Sequence, residues 1–225
     1  MSRKQTLKIT VDALMTLALL MLMAYELIGQ TTHEITGTAM LLLFVAHHLL
    51  NRSWHKNLFR GRYSPYRVFQ TALAAAIFLL MVVQGVSGVM LSRHLFTFLP
   101  IQGGAYWARS LHMLGAYWNL VLMSLHLGFH WSMALALLGK AFQGKAVLLP
   151  VAGAVVVLFG VTAFLRREVG AYLLGQIQFA FFDFEEPLVL FFLDYLAIMG
   201  LFIWTGHYLG LLLRKLSQPR KGGQK

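Results

Sequence analysis

The chain has 225 residues, 58% of them hydrophobic and only 12% charged, with a net charge of +11. A composition this apolar excludes a soluble globule and suits one domain of about six membrane-spanning helices. Nucleic acid is not the expected partner of the excess base, because lysine and arginine fall almost wholly in short segments between apolar runs, where they orient spans. Cysteine is absent, which excludes thiolate-ligated iron–sulfur clusters, covalent haem attachment through CxxCH, disulfides and cysteine nucleophiles.

In chain order, MSRKQTLK precedes an apolar run over 11–29. No small-residue cleavage signature follows it, so a retained first helix is expected rather than a signal peptide. The second run covers 32–50 after a very short turn at Gln30 and Thr31, and the basic stretch NRSWHKNLFRGRYSPYR with its Ser64-Pro65 turn follows. Further spans are expected over 68–90, 107–138, 147–165 and 188–213, the last starting behind Pro187, where a missing N–H costs nothing. The segment RREVGAYLLGQIQFAFFDFEE between the last two is too polar to span and reads as either an interfacial helix or an irregular loop. With both termini on one side, fifteen Lys and Arg residues fall on that side, against Arg93, Arg109, Arg166 and Arg167 on the other. This bias predicts six helices with cytoplasmic termini, in a multi-pass protein of the cytoplasmic membrane.

Histidine carries the functional signal. His33 and His47 are 14 residues apart, and so are His112 and His126. In a helix that interval is roughly 21 Å along the axis and about 40° short of four turns, so each pair shares one face at two depths. Ionisable side chains inside spans cost several kcal/mol and usually mark function. The second and fourth spans run in the same direction, so each depth receives one imidazole from each helix, the arrangement that two bis-histidyl haems require. Pairing through His48 or His130 breaks the equality of the intervals. The expected iron ligands are therefore His33, His47, His112 and His126, with His48, His130 and His94 as alternates.

Other residues have a local reading beside a functional one. Arg93, Arg109 and Arg52 sit at the levels of the histidines and suit haem propionates, although an arginine at a membrane surface also serves as an anchor. Gly37, Gly85, Ser87, Gly88, Gly115 and Gly128 give small-residue surfaces for a flat ring or for a neighbouring helix. Asn119 lies midway between His112 and His126 on their face. His130 suits an alternate ligand, a propionate contact or a quinone site, while His55 and His207 read as interfacial or hydrogen-bonded residues.

The motifs HEITG, HHLLN, RSWHKNLFRGRYSPYR, VSGVMLSRHLF, LPIQGG, ARSLHMLGAYWNLVLMSLHLGFHW and FFDFEEPLVLFFLDYLAIMG together resemble the flavinylation-associated cytochromes, bacterial membrane proteins. The resemblance covers nearly the whole chain. It implies a carrier with non-covalent b-type haem that moves electrons across the cytoplasmic membrane to an extracytosolic flavin-carrying protein, with a quinone pool as one source. Two further readings stay open. One is a transporter or metal-dependent membrane enzyme built on His126, His130 and carboxylates such as Asp194; the other is a ferric or quinone reductase that keeps the haems.

Overall fold

A computed structural model describes residues 2–137 and 148–218. Among these the chain is all-helical, in the order α1 (Arg3–Met23), α2 (Tyr25–Ile28), α3 (Gln30–Leu50), α4 (Arg52–Lys56), α5 (Pro65–Leu91), α6 (Ala105–Leu137), α7 (Leu148–Arg166), α8 (Val169–Leu173) and α9 (Leu188–Leu216). By length and composition, α1, α5 and α9 are each apolar enough to cross a membrane. The expected span ends at 138 and 147, and the basic residues Lys140, Lys145, Arg220, Lys221 and Lys225, lie outside the described residues.

Local signals account for the helix ends. Ser2 and Ser64 accept from backbone N–H groups three residues on and cap α1 and α5, and Pro65 follows at the first helical position of α5. Gly29 has φ 82°, a left-handed conformation that glycine adopts without strain, and it turns the chain sharply from α2 into α3. The connection before α9 resolves into both forms allowed by its composition. One short turn of helix, α8, is followed by irregular chain over 174–187.

Contacts between helix ends fix the directions. Lys8 Nζ donates to Asn51 Oδ1 at 2.7 Å, setting the start of α1 beside the end of α3. Ser92 donates to Glu34 at 2.7 Å, joining the end of α5 to the start of α3. The start of α5 meets the end of α9 through Arg214 and Tyr66. Tyr117 and Tyr195 hydroxyls lie 3.4 Å apart, and further along Gly128 packs on Ile203 and Gly206, so α6 and α9 run parallel. The long helices thus alternate in direction, with α1, α5 and α7 opposed to α3, α6 and α9.

Glycines set the closest approaches. A Cβ at Gly128 would stand 2.9 Å from the Cα of Gly206, and one at Gly206 would run into the Leu125 carbonyl. Backbone-to-backbone contact of this kind is how helices pack tightly where lipid removes the hydrophobic drive. Gly128 therefore serves α9 and does not face a ligand cavity. At the opposite end, buried Asp194 of α9 accepts from Arg166 and, at 2.8 Å, from Arg167, which also donates to Glu186. This cluster ties α7 and the irregular segment to α9.

Candidate functional site

The parallel course of α3 and α6 brings His33 against His112, with ring centres 6.1 Å apart. Two metal–imidazole bonds of about 2 Å each, plus half a ring on either side, come to roughly that separation. The chemistry of His112 is set by α5. Ser87 donates its hydroxyl proton to the Val83 carbonyl at 2.6 Å and so meets His112 Nδ1, at 3.0 Å, with a lone pair. Nδ1 therefore carries the proton, and Nε2 keeps a free lone pair for a metal. Gly88 leaves room for the ring, since a Cβ there would touch His112 at 3.5 Å.

Both histidines line a cavity of about 650 Å³ bounded by α1, α3, α5, α6 and the irregular segment before α9. Its walls include Gly37, Gly85 and Gly88, and Arg93 and Arg109 stand at its rim. Side-chain atoms of His33, Gln84, Asn119 and His126 are buried without a hydrogen-bond partner, and the first three of these residues line this one cavity. Buried polar groups are nearly always paired, so their convergence marks a space built for a polar-edged ligand. Volume, facing imidazoles, glycine walls and two rim cations together would suit a haem, whose propionates Arg93 and Arg109 would hold.

Glu34 holds the rim. Its carboxylate accepts from Ser92 Oγ at 2.7 Å and from the backbone N–H groups of Arg93, His94 and Leu95 at 2.9, 3.1 and 2.9 Å. The loop carrying Arg93 is thereby fixed over His33, and His94 contributes its backbone to the same carboxylate. Across the mouth, Gln178 donates to Tyr106 at 3.2 Å, and the Arg109 guanidinium lies over Phe179 at 5.3 Å.

The second level is built differently. His47 and His126 do not form a close ring pair. His47 Nδ1 donates to Asp12 Oδ1 at 2.7 Å, and its ring meets that of His48 at 5.5 Å. His126 pairs with His130 at 5.0 Å. Asp12 holds His47 as Ser87 holds His112, leaving Nε2 free. His48 turns to His55 instead, at 2.9 Å. Arg52 is exposed on α4, just beyond this level, and His207 rings with Tyr208 on α9.

Asp12, Glu34 and Gln84 are absent from the sequence expectations, and Ser87 enters them only as a small residue and not as a partner of His112. Each is a polar residue in an apolar helix, which is the signal that could have drawn attention to it. Asp194, considered above as a metal ligand beside His126 and His130, is occupied by Arg166 and Arg167. Among the described residues no group of three or more histidines and carboxylates is gathered closely enough to hold a metal ion, whereas a haem needs only two imidazoles.

The fold and site define a helical bundle compatible with a membrane, in which His33 and His112 are brought together from two helices. Set against protein-family models, characterised proteins and solved structures, the chain matches none.

Proposed function

We propose that this protein is a membrane cytochrome of b type that carries electrons between two haems stacked across the bilayer. The observation that carries the reading is the His33–His112 ring pair, 6.1 Å apart inside a cavity of about 650 Å³. On this reading six helices span the membrane, with the lysine- and arginine-rich ends of α1, α3, α5 and α9 in the cytoplasm. His33 and His112 hold the outer haem, with Arg93 and Arg109 on its propionates. His47 and His126 hold the inner haem, with His130 beside them and Arg52 at the neighbouring surface.

Bound haem supplies one-electron chemistry at iron. The chain's own part is ligation, orientation and exclusion of water. Ser87 and Asp12 fix the histidine tautomers, Glu34 locks the loop that carries Arg93, and the glycines of α3 and α5 admit a flat ring. The resemblance described above supports an extracytosolic flavin-carrying protein of a bacterial cell as the acceptor, and a quinol or cytoplasmic reductant as the donor.

A pyridine haemochrome assay on the purified protein tests the reading. About two non-covalent b-type haems per chain, low-spin and bis-histidyl, are expected. Colourless protein from haem-replete cells, carrying zinc or iron by elemental analysis, would instead favour a histidine metal site.

A further inference from the structure

Between α3 and α5, on the side away from α1, runs an apolar groove of about 650 Å³. Leu41, Phe44, Val45, Phe78 and Val82 form much of its wall, and His48 is its one ionisable residue. Leu41, Met81, Gly85, Val89 and Met90 also face the His33–His112 cavity, so a single layer of side chains separates the two spaces. Val45, Phe78 and Val82 are 53%, 45% and 47% exposed, which in a membrane means exposed to lipid.

The basic end of the groove has a distinct chemistry. His48 Nδ1 lies 2.9 Å from His55 Nε2, so α4 folds against the groove's end. Arg52 is one turn before His55 on α4 and Lys56 follows it directly, and both are exposed. From Ile35 to Arg167 the sequence contains no Asp or Glu. No ion pair to Arg52, Lys56, Arg60 or Arg62 occurs among the described residues. Arg67, by contrast, spends its guanidinium on the Asn57 carbonyl at 2.6 Å and on the Tyr63 ring. Beside these free cations Phe59 is 91% exposed, an apolar side chain suited to the boundary between headgroups and acyl chains.

We propose that this groove binds an anionic phospholipid, with an acyl chain lying between α3 and α5 and the phosphate held by Arg52 and Lys56. An uncharged hydrophobe would satisfy the groove but make no use of the unpaired cations at its end. A free phosphate would satisfy the cations and leave the groove bare. Only a molecule with both parts meets the charge and the apolar wall together. Such a lipid would brace α3, the helix that carries His33 and His47, against α5.

Native mass spectrometry of the detergent-purified full chain, equilibrated with phosphatidylglycerol or phosphatidylcholine, is the test. The unmodified protein should retain phosphatidylglycerol in preference. Replacing Arg52→Gln and Lys56→Gln together should cut that preference roughly twenty-five-fold, about fivefold for each cation removed. Val82→Trp, which fills the groove from an exposed position, should instead lower retention of both lipids alike. Equal retention of the two lipids by the unmodified protein, an unchanged preference in the double variant, or full retention in Val82→Trp would each overturn the site. Recovery of a quinone in place of phospholipid would overturn it also.

Discussion

Asp12 Oδ1 lies 2.7 Å from His47 Nδ1, so the lone carboxylate of α1 is aimed at the imidazole proposed to hold the inner haem. A carboxylate accepting from a ligating histidine makes the ring a stronger donor and stabilises the more oxidised metal. Asp12→Asn keeps the shape and removes the charge. In potentiometric titration, the inner haem of this variant should move to a more positive potential by roughly tens of millivolts, with the outer haem unchanged. An unshifted pair of potentials would mean that Asp12 does not act on a haem ligand.

At the outer level the corresponding partner is a hydroxyl. Ser87 accepts from His112 Nδ1 at 3.0 Å while its own proton goes to Val83. Ser87→Ala removes the acceptor and leaves a buried N–H unpaired. Outer haem should be lost roughly 10–100 times more readily to a competing apoprotein, with inner haem retention unaltered. Ser87→Thr, which preserves the hydroxyl, should restore it.

The long helices were legible because apolar runs and capping residues are local properties. Ser64-Pro65 and Pro187 mark the starts of α5 and α9 in the sequence itself. The break at Ala24, which splits α2 from α1, has no comparable sign, since alanine is a strong helix former. The equal intervals place His33 and His112 at one level, where their rings meet. They say nothing of the His47–Asp12 contact at the second level, because no spacing within α3 encodes a partner on α1. Glu34 is a similar case. It neighbours His33 in the chain, but its partners lie about sixty residues away at the end of α5.

Asp194 is 1% exposed and accepts from both Arg166 and Arg167. Removing one member of a buried ion pair leaves the other charge stranded, typically at a cost of about 3–5 kcal/mol. Asp194→Leu strands Arg167, which is only 17% exposed, with Glu186 as its remaining partner. Thermal unfolding in detergent should begin several degrees lower than for the unmodified protein, and protease should cut the irregular segment over 174–187 sooner. Asp194→Glu, which restores the charge, should recover part of the loss.

The two proposed haems should be separately removable, because each level draws its imidazoles from different positions on α3 and α6. His112→Ala deletes one member of the 6.1 Å ring pair, so the outer haem should be lost and about half the total retained. His126→Ala should do the reverse. Any haem still held at a damaged site has at best five ligands and turns high-spin, which electron paramagnetic resonance detects. His130 is the informative control, since its ring stands 5.0 Å from that of His126. If His126 is the ligand and His130 only its neighbour, His130→Ala keeps both low-spin signals and shifts the inner potential. If His130→Ala loses the inner haem while His126→Ala keeps it, the imidazole opposite His47 comes one turn further along α6. Equal spacing on the two helices would then not be what sets the second level.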